Sequence, residues 1–136
     1  MNPCSLDIKD ILTEDEDLGL VYGSNLYISR EPSEPLVCTT IYDPPGGSVD
    51  LTAETKSEGA YSRHPVQVRV RDVDYLTAMT KAQMIMDRLN GLNNFDLNNT
   101  FYALIRCTTP PTLLEWSENN RVIIVINFEI QRRRLV

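Results

Sequence analysis

The stretch PVQVRVRDVDY, residues 65–75, decides the fold of this chain because its side chains alternate in character without a break. Successive side chains of a strand point to opposite faces, so this alternation predicts a strand with one apolar face. The apolar positions are Val66, Val68 and Val70. The polar positions are Gln67, Arg69 and Arg71. The valine face should enter a core, while the arginine face is either solvated or docks against a partner.

A helix is predicted directly after this strand. Asp74 can cap it, and the apolar spacing continues from Tyr75 to about Leu89, where Asn90-Gly91 ends the pattern. The predicted inner stripe consists of Tyr75, Met79, Ala82, Met86 and Leu89, widened by Leu76 and Ile85.

The rest of the chain predicts one more helix and several strands. The first helix should start at a Ser5 cap and end near Leu18-Gly19. Strands are predicted at 26–29, 35–43 and 100–108, followed by a hairpin of 112–117 and 121–131 that turns at 118–120. Pro110-Pro111 should break the strand before the hairpin, and 44–63 should be a long flexible loop.

Composition limits the class of protein. The chain has 136 residues, which allows one core, and 42% of its residues are hydrophobic, as in soluble globular proteins. Residues 1–60 carry 12 acidic and 3 basic side chains, a balance of −9, whereas 61–136 carry 7 acidic and 10 basic ones, a balance of +3. We therefore expect neither a general nucleic-acid binder nor a membrane protein. The three widely spaced cysteines are expected to be reduced, and the start of the chain does not have the pattern of a signal peptide.

No pattern of catalytic or metal-binding residues is present in the sequence. His64 is the single histidine, and no nucleophile elbow, HExxH, GxGxxG or phosphate-loop sequence occurs. The prediction is a protein that is not an enzyme and that binds no cofactor or metal.

Two sets of residues are candidates for contacts with other molecules. Residues 122–126 are apolar on both faces, so this strand is either central in the sheet or buried by a neighbouring subunit. With the arginine face and a basic C-terminal tail at 132–136, they form a candidate interface of Arg69, Arg71, Ile123, Val125, Arg132, Arg133 and Arg134. The second set is the acidic run Glu14, Asp15, Glu16 and Asp17, which is most simply a solvated helix end and does not fit a calcium loop.

The order of these segments resembles that of the bacteriophage tail terminator family, whose members are also labelled minor capsid or head–tail joining proteins of long-tailed phages. The resemblance covers roughly 5–133 and is carried by REPSEP with IYDPPGG, by the valine strand running into a helix that ends in LNGL, and by RVIIVINFEIQRR. It implies a single α+β domain over 1–136, with a mixed, mainly antiparallel sheet packed against two helices.

The resemblance also implies a function. Family members form a ring, usually a hexamer, on the head-proximal end of the tail tube, where the ring stops tube polymerisation and joins the head connector. Its partners would be the tail tube protein and head completion proteins, and it would be located in the virion after assembly in the host cytoplasm. Genomic DNA would pass through the bore without specific binding, and an acidic bore lined by Glu14 to Asp17 would let the duplex slide.

Two alternatives remain open from the sequence. One is a head-completion or connector-adaptor protein, which also forms a ring. The other is a small binding module whose basic face, formed by Arg69, Arg71 and 132–134, holds an acidic partner or nucleic acid.

Overall fold

A computed structural model describes residues 1–50 and 60–135 of the chain. Helix α1 is Cys4–Glu14 and a short 3-10 helix is Glu16–Leu18, whereas α2 is Tyr75–Leu89. The strands are β1 Leu26–Ile28, β2 Cys38–Tyr42, β3 Ser48–Val49, β4 Ser62–Asp72, β5 Asn93–Leu97, β6 Thr100–Trp116 and β7 Val122–Arg134.

Within the described residues, the strands form one sheet in the order β1-β2-β4-β7-β6-β5, and β3 pairs with the start of β4. The β1–β2 pair is parallel and the other pairs are antiparallel. The predicted α+β class, with a mixed and mainly antiparallel sheet packed against two helices, is confirmed.

The core lies between one face of the sheet and both helices. Val66, Val68 and Val70 of β4 are no more than 1% exposed and belong to one cluster with the inner side chains of α1 and α2. The alternate residues of β7 join the same cluster from the neighbouring strand. The valine face of the opening stretch is therefore the core face, as predicted from its alternation.

Helix α2 has the predicted bounds, and Asp74 caps its N-terminus as predicted. The Asp74 carboxylate accepts hydrogen bonds from the backbone N–H of Thr77, at 2.9 Å, and from its hydroxyl, at 2.8 Å. These bonds lower the pKa of Asp74 below its ordinary value. The buried stripe, however, is Ala78, Ala82, Ile85 and Leu89. Tyr75 and Leu76 are 40% and 71% exposed, so their placement in the core was wrong.

Other predicted boundaries were also wrong. Helix α1 begins at Cys4 and ends at Glu14, and the following acidic residues form a separate 3-10 helix. Strand β5 was not predicted, because its asparagines and aspartate disfavour strands and only its pairing with β6 makes it one. Pro110-Pro111 does not break β6, since the strand continues past the prolines with shifts in register.

The segment 44–63 and the C-terminal residues also differ from expectation. Residues 48–49 pair with 62–63, and a Cβ atom on Gly47 would lie only 2.7 Å from the backbone oxygen of Arg63. Only glycine permits that approach. The predicted loop is thus partly strand, and its residues 51–59 lie outside the described residues. At the other end, 132–134 belong to β7 and not to a basic tail.

None of the described helices is long and apolar enough to cross a membrane.

Candidate interaction surfaces

Arg71 is buried, so its predicted place on an open face was wrong. It is 8% exposed, and its guanidinium donates to the backbone oxygens of Leu36 at 2.7 Å, Pro32 at 2.6 Å and Pro35 at 2.8 Å. Glu31 lies 3.5 Å away. Arg71 therefore fastens the segment between β1 and β2 to the second face of the sheet, and its donors are occupied within the chain.

Arg69 is half-buried on the same face. Its Nε donates to Gln67 Oε1 at 2.9 Å, and its guanidinium lies 5.0 Å from the centre of the Tyr42 ring. These contacts keep the side chain against the sheet.

Ile123 and Val125 are already buried within a single chain, at 4% and 7% exposure. They lie opposite Arg71 and Arg69 in the β4–β7 register. Strand β7 is central in the sheet, which is the first of the two alternatives for its apolar character. A neighbouring subunit is not needed to remove these side chains from water.

Arg132 belongs to a buried polar network beneath α1. Its Nη1 donates to the Asn2 carbonyl at 2.8 Å and to the Tyr102 hydroxyl at 3.3 Å, and it lies 3.7 Å from the Asp7 carboxylate. Asp7 is fully buried and accepts hydrogen bonds from the Tyr102 hydroxyl and, at 2.7 Å, from Asn98 Nδ2. This network joins α1 to the ends of β6 and β7, so the contacts of Arg132 within the chain hold the fold together.

Burial governs the acid–base behaviour around this network. Desolvation raises the pKa of the Cys4 thiol to about 12, and the nearby Arg132 charge offsets only part of that rise. Burial also raises the pKa of Tyr102, and its hydrogen bond to Asp7 raises it further. Both groups stay protonated at neutral pH, so neither is a nucleophile.

The last two arginines remain closer to solvent. Arg133 stacks over the rings of Phe101 and Tyr61, at 5.1 Å and 5.7 Å from their centres. Arg134 is exposed. Of the predicted basic interface, Arg69, Arg133 and Arg134 are therefore partly or fully accessible, whereas Arg71 and Arg132 are only 8% and 4% exposed.

The acidic run lies at the surface between α1 and the 3-10 helix. Glu14, Glu16 and Asp17 are exposed, and Asp15 lies 3.6 Å from Arg88 of α2. Asp15 also caps the 3-10 helix by accepting from the Asp17 N–H at 3.0 Å. The run thus begins the 3-10 helix as well as following α1.

Two surfaces were not predicted from the sequence, and the first is an apolar arm, which we define as residues 112–116 at the end of β6. Leu113, Leu114 and Trp116 are 42%, 45% and 51% exposed there. The adjacent leucines break the alternation of a strand, which is the signal that could have identified them.

The second surface is a groove of about 280 Å³ between the 3-10 helix, β2, β4 and α2. More than half of its lining residues are apolar, and the polar ones are Asp17, Asn25, Thr39, Arg71 and Lys81. Its apolar lining includes Leu18, Leu20, Val37, Met84 and Ile85.

The described residues show no arrangement suited to catalysis. His64 Nε2 lies 2.7 Å from the Ser62 hydroxyl, but that serine is 5% exposed and also bonds the Arg132 carbonyl at 3.4 Å. No group of three or more His, Cys, Asp or Glu side chains in this part of the chain could hold a metal ion.

Comparison with known proteins gives a family match and matches to solved structures. A sequence profile of the family described as bacteriophage tail terminator protein matches residues 15–134. A chain from the virion of a native gene transfer agent particle has a similar structure, with a TM-score of 0.72 and 15% sequence identity; the alignment covers 95% of this chain and 93% of that chain. At this identity the structural similarity demonstrates a shared fold only. No curated protein sequence shows significant similarity to the chain.

Proposed function

Because the chain belongs to the bacteriophage tail terminator family and is a structural component of a phage tail, we propose that it forms a ring on the tail tube. The ring has six copies and sits on the head-proximal end of the tube. There it ends tube polymerisation and offers the surface to which the head attaches. The observation that carries this proposal is the family match across residues 15–134.

A capping role fits the physics of a closed ring. A head-to-tail contact that closes into a ring leaves no lateral surface for further copies, so the ring has a fixed size. Such a ring ends the tube when its outer flat side does not bind another tube subunit. The exposed arm and the groove are surfaces that such a contact could use. The tail tube protein and the head completion proteins are the partners on the two flat sides.

The proposed bore passes genomic DNA without holding it. Glu14, Glu16 and Asp17 are exposed carboxylates that would repel phosphates if they face the bore. Arg71 and Arg132, which belonged to the alternative basic docking face, bind groups of their own chain. That favours an assembly protein over a nucleic-acid binding module.

The test is electron microscopy of particles made by a phage whose gene for this protein is silenced. We expect overlong tails without heads, because nothing stops the tube. The control is the same phage supplied with the unmodified protein, which should restore normal tails. Tails of normal length, separate from filled heads, would reject the terminator role and support the head-completion alternative.

A further inference from the structure

We propose that neighbouring subunits join head to tail, with the apolar arm of one copy seated in the groove of the next. This inference rests on the proposed ring, and it identifies the surfaces that would close it. The arm presents Leu113, Leu114 and Trp116, and the groove offers an apolar space of about 280 Å³.

The arm is suited to docking by side chains and not by strand addition. Strand β5 pairs with β6 only at 100–104, so the outer edge of the arm has no strand partner within the described residues. An open edge can recruit another strand, but prolines and bulges prevent that pairing. Pro110 and Pro111 precede the arm, and the β6–β7 register shifts again between Leu113 and Glu115. A partner therefore binds the arm by burying its exposed apolar side chains and not by pairing with its backbone.

The groove has the character needed to receive them. Leu18, Leu20 and Met84 contribute to its apolar lining, and a large apolar side chain placed there would lose its contact with water. Exposed apolar surface of this kind on both the arm and the groove is typical of an interaction site.

One chain cannot fill its own groove with its own arm in this fold. The groove lies at β2 and β4, the arm lies on β6, and the central strand β7 separates β4 from β6. Complementary surfaces on different sides of a subunit produce a heterologous contact, which generates a ring when the rotation closes.

Charge supports a second copy as the occupant. The arm carries an exposed carboxylate at Glu115, and the groove is lined by the ammonium of Lys81. Head-to-tail contact places these opposite charges beside each other.

Glu118 follows the arm and is also exposed, so it can approach Lys81 as well; that lysine side chain is 45% exposed, although its ammonium also lies 2.6 Å from the Asp72 carboxylate.

The contact is tested with one variant for each surface. Trp116→Glu places a charge on the arm, and Met84→Glu places one in the groove; both side chains are partly exposed, at 51% and 39%, so the fold should persist. Native mass spectrometry should show the unmodified chain as an oligomer and each variant alone as a monomer. An equimolar mixture should form a dimer and stop there, because only one pair of intact surfaces remains.

The matched control is Val49→Glu, which places the same charge on a 60% exposed apolar residue of β3, away from both surfaces. It should assemble like the unmodified chain. Circular dichroism checks that all three variants are folded.

Three results would overturn the proposed contact: an unmodified chain that stays monomeric at high concentration, single variants that still assemble, or a mixture that stays monomeric. The proposed ring function is rejected by a different experiment, the electron microscopy of the silenced phage. Tails of normal length in the silenced phage would reject termination even if the mixture dimerises, while overlong tails with a monomeric mixture would reject only the contact.

Discussion

The two ends of the β6–β7 hairpin differ in which side chains are buried: polar ones are buried at the open end, far from the turn, and apolar ones are exposed at the closed end, next to the turn. At the open end, Tyr102 and Arg132 are buried with the Asp7 carboxylate beneath α1. At the closed end, Leu114 and Trp116 lie at the surface. Polar groups can be buried at the first end because the carboxylate, the hydroxyl and the guanidinium contact one another, and apolar groups remain exposed at the second because no helix covers them. The difference shows that the position of the helices, and not residue type, decides which end of this hairpin is core.

The largest expected effect comes from Arg132→Met at the open end. It leaves the buried Asp7 carboxylate without its nearest cation and should lower the free energy of unfolding by about 3–5 kcal/mol. Urea denaturation measures the loss. The matched control is Arg134→Met in the same strand, where the side chain is exposed and the change should stay within about 0.5 kcal/mol. Equal losses in the two variants would mean that the network does not stabilise the fold.

A smaller effect is expected from Tyr102→Phe. The ring keeps its stacking on Phe95, with centres 5.1 Å apart, but Asp7 loses the hydroxyl donor. Leaving a buried acceptor without this bond should cost about 1–3 kcal/mol in denaturation experiments. Tyr27→Phe is the control, because its hydroxyl bonds backbone oxygens at an exposed turn. A Tyr102→Phe protein as stable as this control would contradict the buried bond.

At the closed end, Trp116→Ser should change the unfolding free energy by less than about 1 kcal/mol, since the side chain is half exposed. Ile105→Ser in the same strand is the contrast. That isoleucine is fully buried, and removing it should cost about 2–5 kcal/mol. If both variants lost similar stability, the arm would be part of the core and could not be a docking surface.

The smallest effect concerns pH and the single histidine. Burial lowers the pKa of His64 from its ordinary value of 6.5, and the charge of Arg132 lowers it further. The unfolded chain therefore takes up a proton that the folded chain does not, so stability should fall as pH decreases below about 6.5.

His64→Gln should remove this part of the acid sensitivity, seen as a smaller loss of stability between about pH 7 and 5 than in the unmodified chain. An NMR titration of the one histidine gives its folded-state pKa directly. A value above 6.5, or the same loss in both proteins, would contradict the burial of His64 beside Arg132.

Much of the fold could be predicted because its signals are local. The alternating valines predicted which face of β4 enters the core. The Asp74 cap and the helical spacing of the apolar residues after it predicted the bounds of α2. Strand β5 has no such signal, since it is a strand only because β6 pairs with it. The prolines in β6 look like a break in the sequence, and a bulge accommodates them only because β7 continues the pairing.

The candidate interface was less predictable. Arg71 was assigned to the surface because its position alternates with the valines, but its partners are the carbonyls of Pro32, Pro35 and Leu36. A backbone carbonyl has no side-chain signature, so no residue type in the sequence marks it as a partner. Similarly, nothing near Arg132 in the chain indicates that Asp7 and Asn2 will reach it.

The sequence by itself determined β4 and α2, because periodicity and caps depend on neighbours a few residues away, and its resemblance to a known family gave the α+β class. Only the tertiary structure decided which arginines are buried, where the groove lies and that the arm stays exposed. These depend on how α1, α2 and the segment before β2 cover the sheet. That covering is set by contacts between residues far apart in the chain, such as those of Arg71 with Pro32 and of Arg132 with Asn2, which place these charged side chains inside the fold.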